Sequence, residues 1–386
     1  MRRQVVKAMQ TQYDSKGFNT GLQVAEIFAD YETRLIANRR KLFKNAIISD
    51  NFKLSVFNQH RAYNEANAAE KKSAVNDVTR LVVRELNTSY SVGVNSVDKD
   101  MTGFIKQGYE PKKQPDALSD LLIDKAKLIL VVSAVRIFTE IAEYARRAAN
   151  NQLMIITNQV NPQAENLNEE IDRVQAGFLI SGVPGKQLID GTEKQMTAES
   201  EFAMRDQSHL ALQTAQGQRR QEYGIKLIQV SSHPSSCPLC TPWQGMILYD
   251  DRSGGTFDSR YETLSTALAA GLGHFNCRHA YLPYIEGYKN VNYEYDKASK
   301  EETAKRYAVE QQQRYNERNI REYKRVAVGS MSEQERIRAE LKIEEWQARQ
   351  RALRDIAERN KLPFYRQYSR EQIGGKTYPN ISRFLS

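Results

Sequence analysis

Apolar residues recur at helical spacing through most of the first 225 positions. In "GLQVAEIFADYETRLIANRRKLFKNAIIS" (21–49), Val24, Ile27, Phe28, Leu35, Leu42 and Ile47 form one stripe, which predicts a long amphipathic helix. "DALSDLLIDKAKLILVVSAVRIFTEIAEYARRAANNQ" begins after Pro115 and carries no Pro or Gly, so a second helix is predicted to about Asn150, with Arg146 and Arg147 complementing its dipole. Its most apolar part, "LILVVSAV" (128–135), is flanked by Asp124, Lys125, Lys127 and Arg136. It falls short of the roughly 20 apolar residues of a membrane span and reads as a buried helix. "YEPKKQPDA" (109–117) is a loop, "SGVPGKQLIDGTEK" (181–194) reads as turns, and "MTAESEFAMRDQSHLALQTAQGQRRQ" reads as a further helix. These stripes are scaffold, because an apolar helix face needs an apolar partner.

The pattern changes near Ile225. "IKLIQVSSH" is β-branched and partly alternating and reads as a strand, "GMILYDD" after a Trp-Gln-Gly turn reads as a second, and "RHAYLPYIEGY" reads as a strand or extended segment. Between them "SRYETLSTALAAGLG" shows a helix start at Ser259 with Glu262, a capping box, and a helix stop at Gly271. From 290 to 360 the chain is charged and helical again, with Ser332 and Glu335 as another capping box. Glu and Arg at spacings of three and four support solvated helices. "KLPFYRQYSREQIGGKTYPNISRFLS" is basic, aromatic and aperiodic, an arm for a partner or for its own domain. The expected class is mainly α with a small α+β domain. The expected divisions are a helical domain (1–224), the α+β domain (225–288), a charged helical region (289–360) and a C-terminal arm (361–386).

Composition adds bounds. The 386 residues are 40% apolar and 27% charged, with a net charge of +9, which permits an acidic partner and also serves solubility. "MRRQVVKAMQTQYDSKGF" lacks an apolar core of signal-peptide length. No P-loop, dinucleotide-type glycine turn, G-x-S-x-G or H-E-x-x-H occurs.

Chemistry gathers in one place. All three cysteines and three of the five histidines lie in "SSHPSSCPLCTPWQG" (231–245) and "HFNCRH" (274–279). An odd number of cysteines argues against a secreted disulfide scaffold and for a reducing compartment. Cys237 and Cys240 form C-x-x-C, and His274 and Cys277 form H-x-x-C, two tight turns that could aim four donors at one structural zinc. His279, two residues from Cys277, and His233 are alternative ligands. Reduced buried thiols that bind nothing are a competing reading. So is a redox C-x-x-C, although no helix is expected to start at the motif. A zinc-supported nuclease would draw on His233, His274, His279 and Asn276.

These residues also carry a resemblance. Ser231, Ser232 and His233, then Trp243, Gln244 and Gly245, then Gly273, His274, Asn276, Cys277, Arg278 and His279, then Pro283 and Tyr284 are similar to the signature region of phage minor capsid proteins. More broadly they resemble the MuF-like head-morphogenesis proteins of tailed bacteriophages. The likeness covers about 226–287. It implies a structural virion protein without catalysis of its own, assembled in the host cytoplasm and placed in the head interior or at the portal vertex, with no membrane. The implied partners are the portal protein and the major capsid protein, and the implied role is head assembly, DNA packaging or delivery. Arg219, Arg220 and, in the arm, Arg366, Arg370 and Lys376 would then contact a partner or packaged double-stranded DNA through sequence-blind phosphate contacts. The alternative function is a zinc-supported nuclease or other nucleic-acid-processing enzyme.

Overall fold

The computed structural model describes residues 2–234, 236–253, 258–274, 277–293 and 299–374, with the side chains of 2–19, 117–120, 123 and 253 outside that description. Eight helices and five strands occur among the described residues. The helices are α1 (Arg2–Ile47), α2 (Phe52–Ile105), α3 (Ala117–Gln159), α4 (Leu167–Ser181), α5 (Met196–Glu222), α6 (Leu264–Ala269), α7 (Lys300–Gly329) and α8 (Glu333–Arg359). The strands are β1 (Pro184–Gln187), β2 (Glu193–Gln195), β3 (Leu227–Val230), β4 (Ile247–Tyr249) and β5 (Tyr281–Pro283). The expected class, mainly α with a small α+β portion, is the class observed.

Two compact units are assembled from interleaved stretches of chain: 1–20, 81–134 and 204–308 in one, 21–80, 135–203 and 309–386 in the other. In the second unit Leu42, Phe43, Phe52, Val56, Tyr63, Leu153, Ile156, Val160, Ile171 and Met331 share one core. Each large side chain there removes apolar surface worth roughly 1.5–3 kcal/mol from water. Paired polar groups fix one of its corners. Asp172 accepts the backbone N–H groups of Met331 and Ser332 at 2.7 Å each, at the entry to α8. The Ser332 hydroxyl accepts from the Glu335 N–H at 3.3 Å, so the expected cap is present.

Three expectations change. The 181–194 stretch contains an antiparallel hairpin, β1 against β2, turning at Asp190-Gly191, where Gly191 has φ of 83°. An Asp-Gly turn supplies that left-handed position, but the short strands, Pro-Gly-Lys-Gln with its first half buried and the polar Glu-Lys-Gln, give no alternating signal. The small helix starts four residues after Ser259: Thr263 caps α6, its hydroxyl accepting from Thr266 N–H at 3.0 Å. Gly271 does end the helix, with φ of 103°, and the pair Leu272 N–H to Ala267 O and Gly271 N–H to Leu268 O makes a Schellman motif. Finally, "LILVVSAV" is helical but outward-facing. Leu128, Ile129 and Val132 are exposed, and Ala134 is the buried member of the run. No helix among the described residues is long and apolar enough to cross a membrane.

The first unit holds the α+β portion. β3 is the central strand, antiparallel to β4 (Ile228 opposite Leu248) and to β5 (Val230 opposite Tyr281). Ile228, Val230, Leu248, Leu264, Ala267, Leu272 and Tyr281 form its core together with Cys240, and Cys237, Trp243, Leu268 and Cys277 pack against it.

Candidate metal centre

Two tight turns position the donors. After β3 the chain makes a turn in which Cys237 O accepts from Cys240 N–H (3.2 Å), Thr241 N–H (3.0 Å) and the Thr241 hydroxyl (2.8 Å). A 3-10 turn at Thr241–Trp243 follows. Ahead of β5, Cys277 N–H bonds to His274 O at 2.9 Å. The two turns lie at one end of the sheet because β3 and β5 are neighbours in it.

Five donors result, in two overlapping groups: Cys237, Cys240 and His274, and Cys240, Cys277 and His279, each with donor atoms within 4.8 Å of one another. Sγ of Cys237 is 2.6 Å from Nε2 of His274, Sγ of Cys240 is 3.8 Å from Sγ of Cys277, and Sγ of Cys277 is 3.3 Å from Nδ1 of His279. Cys240 and His279 are buried, and the other three half-buried.

The donor set suits a soft divalent ion such as zinc in chemistry as well as in spacing. Backbone N–H groups of Leu239 and Cys240 face the Cys237 sulfur, and those of Gly273 and His279 face the Cys277 sulfur. Such donors favour thiolate. Without an ion, Cys240 donates to Cys277, which with burial pushes the Cys240 thiol up to about 12. The same bond lowers Cys277, and burial raises Cys237. A cation between the sulfurs would replace that shared proton.

Neighbours that sequence spacing did not reveal support the centre. Gln244 Oε1 accepts from His233 N–H at 2.7 Å and lies 3.3 Å from His279 Nε2. His209, on α5, has Nε2 at 2.9 Å from His279 O, and burial lowers its pKa. The His233 ring packs on that of His279 with centroids 4.4 Å apart. The Trp-Gln-Gly motif points to Gln244, whereas His209 comes from a helix 70 positions away from His279 in sequence and leaves no local signal.

The arginines expected to meet DNA or a partner are engaged internally. Arg220 is 1% exposed and donates to Tyr281 O (2.7 Å) and Asp250 (2.9 Å), joining α5 to the sheet. Arg219 pairs with Asp98 (2.7 Å) and Glu222 (2.8 Å). Arg366 makes a two-pronged bond to Glu371 at 2.7 Å, and the buried Arg370 reaches Glu201 at 2.6 Å. These four guanidiniums are held by carboxylates of their own chain, an arrangement that serves folding. Asn276 and Lys376 lie outside the described residues.

Comparison with known proteins decides the family. The model of a family described as phage minor capsid protein 2 matches residues 23–355. The chain belongs to the phage minor capsid protein 2 family. A curated relative, a "structural protein" of Lactococcus phage LL-H, is 32% identical over 112 residues, which is 28% of this chain and 29% of the relative. The chain thus aligns with less than a third of that relative's length. No solved structure matches. As a minor capsid protein the chain is a structural component of the virion, and the likeness seen in its Cys/His segment agrees with the match over most of its length.

Proposed function

We propose that this minor capsid protein acts by binding, without catalysis of its own, at the portal vertex or in the head interior. Its partners are the portal protein and the major capsid protein, and it aids head assembly, DNA packaging or DNA delivery. The observation that carries this reading is the family match over 23–355. In it, 225–288 is a compact α+β domain that presents a rigid surface, 1–224 and 289–360 are helical packing regions, and 361–386 is an arm. One structural zinc would be held by the Cys237, Cys240 and Cys277 thiolates with one imidazole. Both donor groups contain only sulfur and nitrogen, the composition of closed structural sites. A core this small also benefits from a staple. Phosphate contacts with packaged DNA, if made, fall to Lys376 and to surface Lys and Arg other than the four internally paired arginines.

The test is to purify the chain, measure its zinc by elemental analysis, mix it with portal and capsid proteins at low salt, and locate it in a particle map. Co-purification with portal or capsid and about one zinc per chain are expected. A chain that stays monomeric with both partners would remove the partner assignment. Divalent-metal-dependent nicking of DNA, abolished by His233→Ala or His279→Ala, would replace the binding reading with the nuclease one.

A further inference from the structure

The cluster offers five donors, one more than a closed tetrahedral zinc takes. Building on the zinc reading above, we infer that His279 closes the site through Nδ1, beside Cys237, Cys240 and Cys277, that Gln244 is the positioning residue that sets its tautomer, and that His274 is a spare donor.

The hydrogen-bond network dictates the tautomer. The backbone N–H of His233 can only donate, so the Gln244 atom 2.7 Å away is the amide oxygen. That same oxygen lies 3.3 Å from Nε2 of His279. An oxygen accepts, so Nε2 must carry the ring proton. Nδ1 then keeps its lone pair, and it faces Cys277 Sγ at 3.3 Å. An imidazole held by one nitrogen and presented by the other is the usual outer-shell arrangement of a metal-binding histidine.

Position agrees. His279 is 0% exposed. Its carbonyl accepts from His209, and the next residue is pinned to the end of β3: Ala280 N–H donates to Ser231 Oγ (2.8 Å), and Ala280 O accepts from Ser231 N–H (2.9 Å). Cys277 Sγ also accepts from the His279 N–H at 3.4 Å, so thiol and ring share one side of this segment. His274 precedes this anchored segment and is half-buried.

Distances agree within the group of Cys240, Cys277 and His279; Cys237 shares its group with Cys240 and would swing in to complete the four. Zn–S near 2.3 Å and Zn–N near 2.0–2.1 Å imply tetrahedral edges of about 3.8 Å between sulfurs and about 3.5 Å between sulfur and nitrogen. Cys240 to Cys277 is 3.8 Å and Cys277 to His279 is 3.3 Å. Cys237 to His274, at 2.6 Å, is a direct thiol–imidazole contact, too short for two donors sharing an ion.

The deciding experiment is 15N NMR of the histidines in the zinc-loaded full chain. One imidazole coordinated through Nδ1 is expected. In parallel, zinc affinity is measured by competition with a chelator, and the site is read by cobalt(II) absorption. His279→Ala should weaken zinc by about 100-fold or more, and Gln244→Leu by about 10- to 100-fold. In the metal-free Gln244→Leu chain, the His279 nitrogen signals should also lose the single-tautomer pattern. Gln244→Glu, which still accepts both N–H groups, should restore binding. His274→Ala should keep one zinc with nearly unchanged affinity and cobalt spectrum. Coordination through Nε2 in the unaltered chain, or zinc lost in His274→Ala and kept in His279→Ala, would overturn the assignment while leaving the zinc reading intact. A chain that takes up no zinc at all would overturn both.

Discussion

Asp100, on α2, is a carboxyl enclosed to 6% exposure, and burial pushes its pKa up from 3.8 to about 6 against the pull of Asn290, Asn292 and Lys99. The folded state therefore holds this proton more tightly than the unfolded one. Stability should fall as pH rises from about 4 to about 6, and the penalty should stand in full above that, at about 2–3 kcal/mol. Asp100→Asn should flatten this part of the profile and raise stability at pH 7 by about 1–3 kcal/mol, measured by urea unfolding at pH 5 and pH 7. The buried Arg220–Asp250 pair behaves oppositely to truncation. Asp250→Ala strands a guanidinium between α5 and the sheet and should cost about 3–5 kcal/mol, which thermal melts would register. At this scale the sequence was legible where spacing is itself chemical: C-x-x-C and H-x-x-C named four of the five donors, and His279 stood beside them as an alternative. It was not legible for Arg219, Arg220, Arg366 and Arg370, because a basic residue bound for an internal carboxylate looks the same in sequence as one bound for phosphate.

Helices are where periodicity served best. α3, α5, α7 and α8 appear where apolar stripes or charge spacing put them, since each needs only its own residues to declare itself. The β1–β2 hairpin and the true start of α6 were missed because single hydrogen bonds decide them. How closely elements approach is also set by single residues. A Cβ on Gly93 of α2 would stand 2.7 Å from Cβ of Ala215 and 2.7 Å from O of Leu212 on α5. Gly177 of α4 has nothing within 4 Å of the same position. Gly93→Val should therefore destabilise by about 2–3 kcal/mol through overpacking, while Gly177→Ala should be neutral or stabilise by up to about 1 kcal/mol through helix propensity. Chemical denaturation of the two variants side by side checks both signs.

For the whole molecule, membership of a minor capsid family sets the setting in which stability matters, and the metal reading gives it a lever. Removing zinc with a chelator should lower the melting temperature, and restoring free zinc to about 1,000 times its dissociation constant should return about 4 kcal/mol. Calorimetry with and without chelator measures this. The interleaving of the two units was not legible, because which stretches of helix share a core depends on three-dimensional meetings that no local pattern records. It has a consequence for biosynthesis. One unit needs residues from 1 to 308 and the other from 21 to 386, each in three pieces. A ribosome making this chain cannot release a finished first half and then begin a second. Until it has passed residue 308 neither unit is complete, and the core around Phe43 and Phe52 still lacks Met331.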